Sequence, residues 1–216
     1  MSVFKKVAIG VTAAAVLAVP LSACSSSSGS SSADKKPLAS VADLSKGKTT
    51  QVTLDAGFVK ALTTLKLTPS PYGTATISKA GVATFPITGG NVDYYKPHGP
   101  VEPYVTGNIE HNGSGLNLTA GTTKVTLSNF DIDPGASKLY GQVSVNGKVA
   151  VAKAYLFNLN GTPLKPLQKS GTDAILEGTI VEMSPDAAKL LDTTFKTTAV
   201  KAGLVIGVAK ITIATA

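Results

Sequence analysis

The stretch KLYGQVSV (Lys138–Val145), NG (Asn146-Gly147), KVAVAKAYLF (Lys148–Phe157) decides the reading of the chain. Asn and Gly both tolerate φ > 0, which a two-residue type I′ turn needs at its two central positions. The runs on either side are rich in β-branched and aromatic residues that suit a pleated surface. The sequence therefore predicts a β-hairpin over residues 138–157, and with it an antiparallel sheet.

Working outward, similar runs recur on both sides. Lys48 to Leu54 alternates, with Val52 and Leu54 on one side, and Gly73 to Ser78 and Val82 to Thr88 follow around Ala80-Gly81. Tyr104 to Glu110, Gly115 to Thr119 and Lys124 to Ser128 read as three short strands divided by turns at Asn112-Gly113 and Ala120-Gly121. Ala174 to Met183 and Leu204 to Ala214 complete the set. Two segments carry the helical period instead. Asp55 is placed to cap a helix over Asp55 to Leu67 with Phe58, Val59, Leu62 and Leu65 on one stripe. Ser184 is placed to cap a second helix, with Pro185 at its first position and Ala187, Ala188, Leu190, Leu191 and Phe195 on its apolar face. The expected fold is mainly β, an antiparallel β-sandwich or partly open barrel with two peripheral helices.

The N-terminus has a different character. Lys5 and Lys6 precede an uncharged apolar run from Val7 to Pro20, and Leu21-Ser22-Ala23-Cys24 follows. This is the basic, apolar, small-residue order of a secretory signal, and the apolar run is shorter than the roughly 18 residues that cross a bilayer. Leu-Ser-Ala-Cys resembles the lipobox of bacterial lipoproteins, which implies a signal peptide over residues 1–23 and acylation of Cys24 by diacylglycerol and palmitate-type chains. Cys24 is the sole cysteine, so no intramolecular disulfide can form. Two or more acyl chains hold a protein stably where one is marginal. The Ser-rich residues 24–47 read as a flexible linker and residues 48–216 as one β-rich extracytoplasmic domain. The expected location is the outer face of the cell membrane, with the lipid anchor as the membrane contact.

Twenty basic residues stand against 13 acidic ones, and every basic residue is Lys. Without the Arg fork that reads guanine and grips phosphate bidentately, nucleic-acid recognition is not expected. The scattered lysines read as solvated surface, with anionic envelope polymers as a candidate partner beside a small ligand. Enzyme chemistry has little to build on. There is no Gly-x-Ser-x-Gly elbow and no phosphate loop ending in Lys-Ser/Thr, and Ser114 sits between glycines that read as a turn. Asp131 and Asp133, at i and i+2, share one face of an extended segment, but two carboxylates fall short of a calcium shell, and Pro134-Gly135 makes them turn residues. No metal site and no catalytic residue are expected.

The stretch richest in binding chemistry is Tyr94, Tyr95, His98 and Tyr104, broken by Pro97, Pro100 and Pro103. Aromatic bodies with polar tips suit either a ligand mouth or a loop that covers a sheet edge. His111, placed after a strand and before Asn112-Gly113, is expected at a sheet end. Residues Gly107 to Leu116, continuing through Lys124 to Leu127 and Leu139 to Val143, resemble the second half of the HtaA-type domain of actinobacterial cell-surface proteins. That resemblance implies a β-rich domain and, because several such domains bind haem, a haem-binding alternative with His111 at the position where the pattern carries a histidine. The family's haem-ligating tyrosine lies in an aromatic N-terminal motif, and the helix over Asp55 to Leu67 has no Tyr. The ligand-binding candidates are thus His98 and His111, with Tyr94 and Tyr95 as phenolate alternatives. The sequence reads as a non-enzymatic, lipid-anchored binding or structural module, with a haem or small-ligand carrier second and a hydrolase a distant third.

Overall fold

The computed structural model describes residues 35–215; the expected signal peptide over residues 1–23, the expected acylation site Cys24 and the first part of the expected linker lie outside them. The chain runs β1 (Ala39–Val41), β2 (Thr49–Leu54), α1 (Ala56–Thr64), β3 (Thr68–Gly73), β4 (Thr76–Ile77), β5 (Val82–Pro86), β6 (Gly89–Tyr94), β7 (Val105–Ala120) and β8 (Thr123–Asp133). It continues through β9 (Lys138–Val145), β10 (Lys148–Asn160), β11 (Gln168–Ser170), β12 (Asp173–Met183), α2 (Pro185–Phe195) and β13 (Val205–Ala214). All strand pairs are antiparallel, in the order β1-β6-β7-β8-β9-β10-β12-β13-β2-β5-β4, with β3 on β7 and β11 on β12. The sheet curls into a half-barrel, which agrees with the expected mainly β fold and its partly open barrel. None of the described helices is long and apolar enough to cross a membrane.

The hairpin that anchors the reading is present: Asn146 has φ 50° and Gly147 φ 82°, with Val145 opposite Lys148. Both helices start at the expected caps. The Asp55 carboxylate accepts from the Gly57 and Phe58 amides, and the Ser184 hydroxyl accepts from Ala187 N at 3.0 Å while donating to Tyr155 O at 2.7 Å. α1 turns Phe58 and Leu62 inward and α2 turns Ala187, Ala188 and Leu191 inward.

Three expectations are corrected. Asn112-Gly113 is not a turn: β7 runs unbroken through it, and the register shifts there between His111 and Gly115 against a matching shift in β8. Gly113 takes φ 74° in this bulge, and its amide donates to Asn129 Oδ1 at 2.9 Å. A bulge and a turn make the same demand for positive φ, so the dipeptide alone does not separate them. The bulge divides β7 into a first half paired with β6 and a second half paired with β3. Second, the expected strand set omits Thr68–Gly73, where β3 reads TPSPYG. It is an edge strand, and Pro69 and Pro71, two residues apart, leave the missing donors on one side, away from β7. Third, the packed region starts before residue 48: β1 pairs with β6 and Leu44 is 1% exposed, so residues 39–47 are not linker.

Strand direction fixes two distinct ends. β6, β8 and β10 finish at one end, where residues 95–104, 134–137 and 161–167 form the connections. These are neighbours, since Leu159 N donates to Ser137 O at 2.9 Å and a methyl group added at Gly135 would lie 3.9 Å from Thr106. β2 and β12 finish at the opposite end, and there the chain enters α1 and α2. The sheet's curl is tied off where β5 passes into β6: Ile87 N donates to Lys48 O at 3.1 Å and Thr88 N to Glu110 O at 2.8 Å.

Candidate functional site

Within the curl lies a cavity of about 590 Å³. Its walls come from inward-facing positions on opposite sides of the half-barrel, including Val52, Phe85, Ile109, Phe130, Phe157, Val181 and Ile211. Period-two alternation puts these side chains on one face of every strand, and the curl turns that face upon itself. The volume and apolar walls are those of a small-molecule pocket.

Two polar side chains meet inside it. His111 is 1% exposed, and its Nε2 lies 2.8 Å from Thr50 Oγ1 while Nδ1 lies 3.3 Å from the Phe130 carbonyl oxygen. Thr50 is likewise buried. Burial pushes the imidazole pKa down to about 4, against smaller opposing effects of the Phe130 carbonyl and Asp131, so the ring is neutral near pH 7. A carbonyl oxygen only accepts, so Nδ1 carries the hydrogen and donates to Phe130; Nε2 then accepts from the Thr50 hydroxyl. Phe85 stands edge-on to His111, with ring centroids 6.5 Å apart, and to Phe130 at 5.3 Å.

The cavity's rim is the 95–104 connection with residues 134–137 and 161–167. The connection is cinched by Tyr95 N donating to Tyr104 O at 2.7 Å. His98, exposed and in the left-handed region at φ 57°, lines the rim with Glu102 and Tyr104. Tyr94 stands behind: it is buried and packs edge-on against Tyr104, with centroids 5.8 Å apart, without lining the cavity. Tyr95 does not line it either. Tyr104 is the rim phenol, and burial first, then Tyr94 and Glu102, raises its pKa above the ordinary tyrosine range.

The structure therefore brings His111 and His98 to one cavity, at its wall and rim, and sets Tyr94 and Tyr95 outside it. His111 is not at a sheet end: it sits mid-strand because the following Asn112-Gly113 is a bulge. Thr50 was missed, although it shares parity with Val52 and Leu54 and so faces the same way. Ser114 is fully buried and donates to His111 O at 3.1 Å, a role inside the bulge. Asp133 Oδ1 accepts from Ala136 N at 2.8 Å, as a turn residue, and Asp131 pairs with Lys153 at 2.9 Å. Among the described residues no group of three His, Cys, Asp or Glu side chains could hold a metal ion.

No protein-family model matches the chain, and no curated protein does. An antiparallel half-barrel with an apolar interior defines the class by fold alone. Its fold is similar to the crystal structure of the C-terminal domain of HtaA from Corynebacterium glutamicum, at a TM-score of 0.54 and 16% identity over 81% of this chain and 98% of that one. A domain-swapped dimer of a single-residue variant of the same domain matches at a TM-score of 0.45 and 14% identity, over 74% of this chain and 92% of that one. What the first likeness shows is the fold.

Proposed function

We propose that this protein is a non-enzymatic binding module of the cell envelope, held at the outer face of the membrane by acylated Cys24, and that it carries a small apolar ligand. The observation that carries the reading is the cavity of about 590 Å³ whose walls are apolar and whose interior polar pair, Thr50 and His111, is uncharged. Such a space favours a neutral, apolar body and penalises a charged one, which would have to shed its water against walls that offer no counter-charge. The one carboxylate among the lining residues, Glu102, stands at the rim and not in the apolar wall, an arrangement that suits carriage better than acid–base chemistry within the cavity.

Haem is the second reading, favoured by the sequence resemblance and by His111 at the wall. The residues fit the apolar body of haem but not its iron. Both nitrogens of His111 are engaged, one by Thr50 and one by Phe130, and Tyr94 and Tyr95 lie outside the cavity. A ligated iron would have to be held from the rim by His98 or Tyr104.

The test is what copurifies with the domain from its native envelope. An extractable apolar compound in stoichiometric amount, with no Soret band, is the expected result. A Soret band in that material, or a Soret shift on titrating haem that is lost in His98→Ala, would move the assignment to haem. A domain that purifies empty and takes up no apolar probe would leave a structural module.

A further inference from the structure

We infer that the cavity's rim faces the membrane and that the ligand is a membrane amphiphile, drawn from the bilayer with its chain in the cavity and its headgroup at the rim. The inference rests on the binding module proposed above and on its anchor at Cys24. Its basis is where the chain enters the fold. β1 runs antiparallel to β6, so its first residue, Ala39, stands opposite Tyr94 at the rim end. Leu38 N donates to Tyr94 O at 2.7 Å, one residue from the Tyr95 to Tyr104 hydrogen bond that cinches the rim connection. The tether thus joins the domain beside the mouth and not beside the helices.

The point of attachment sets the nearer end. The fourteen residues Ser25 to Leu38 separate the anchor from the rim. β8, running from the far end to the rim, is 11 residues long, or about 35 Å at a strand's rise. The far end therefore lies a strand's length farther than the rim from the point where the tether joins.

The rim's surface suits that contact. Leu38 is 66% exposed, the largest such fraction among the exposed large hydrophobic residues of the described chain. Pro100 is exposed on the 95–104 connection, and Lys35, Lys36 and Lys96 are exposed at the same end, against Glu102 as the exposed acid of the connection. Apolar side chains with flanking lysines are what an anionic lipid surface attracts. Inside the rim, His98, Glu102 and Tyr104 offer polar groups to a headgroup, and beyond them the walls turn apolar.

The experiment uses the full acylated chain in phosphatidylglycerol–phosphatidylethanolamine vesicles. Acylation leaves no other thiol, so Val101→Cys at the rim and Lys148→Cys beside the Asn146-Gly147 turn each give one site for an environment-sensitive dye. With a nitroxide on the lipid headgroup, quenching should be several-fold stronger at residue 101 than at residue 148. Equal quenching, or stronger quenching at 148, overturns the orientation. In a second arm, a pyrene-labelled phosphatidylglycerol is offered from the vesicles to the anchored protein and to soluble Cys24→Ala, with Phe157→Trp as the energy donor in both. Loading should be about tenfold or more faster in the anchored form, the gain of a raised local concentration. Equal rates, or a pyrene amphiphile that loads from solution and never from vesicles, overturn the membrane source and leave the binding module standing. No loading from either source takes down the binding module itself.

Discussion

The Thr50 hydroxyl on β2 donates to Nε2 of His111 on β7 across 2.8 Å, joining two strands that are not neighbours in the sheet. The contact spans the curl, and it fixes the imidazole as the Nδ1–H tautomer with its other bond on Phe130 O. Removing the donor leaves a buried acceptor unpaired. Thr50→Val keeps the shape and loses the bond, and should cost about 1–3 kcal/mol, or roughly 3–10 °C in Tm for a domain of this size. Thr50→Ser should retain most of the stability. A melt of Thr50→Val that overlays the parent would contradict the hydrogen bond.

The same ring gives a pH dependence. His111 titrates at about 4 in the fold and near 6.5 when unfolded. Between those values the unfolded chain holds a proton that the fold does not, so stability rises with pH across that window. The contribution is full above the unfolded value, falls as pH drops toward about 4, and is flat below. Its total is on the order of 3 kcal/mol. Urea unfolding of the parent and of His111→Gln at a series of pH values isolates it: the stability difference should shrink on acidification through the window. Parallel pH profiles for the two proteins would mean that His111 is not held neutral by burial.

At the far end, the Asn146-Gly147 turn holds both residues at positive φ. Gly147 has open space around an added Cβ, so the backbone alone makes a side chain unwelcome there. Gly147→Val should lower stability by about 1 kcal/mol or more, while leaving cavity binding intact. A Val substitution with no effect on the melt would rule out the type I′ geometry.

What the sequence made legible is what local rules encode. The hairpin at residues 138–157 and the caps Asp55 and Ser184 need only neighbouring residues, and they stand where expected. β1, β3 and β6 were not legible, because each is a short or polar strand held by a partner farther along the chain: Thr68–Gly73 is a strand only because β7 lies beside it. β11 is three polar residues hairpinned onto β12, with no apolar alternation to mark it. The site was half legible. His111 shares strand parity with buried Ile109, and Thr50 with Val52 and Leu54, so alternation pointed all of them inward. Reading Asn112-Gly113 as a turn cut that strand and set His111 at an edge. In the 95–104 connection, composition picked out four candidate side chains but not which faced the cavity, since Tyr94 and Tyr104 differ only by which one stacks behind the other.

The most direct measurement of the proposed carrier function uses the absence of tryptophan from the chain. Phe157 is buried and lines the cavity, so Phe157→Trp places a single conservative reporter in the wall. Titrating this protein with a nitroxide-labelled stearate reads occupancy of the cavity directly. The expected result is saturable quenching at one ligand per domain, reversed by unlabelled stearate and unaffected by Gly147→Ala, which lies at the far end. Quenching that grows linearly without saturation, as for free tryptophan in solution, would contradict a ligand-carrying cavity.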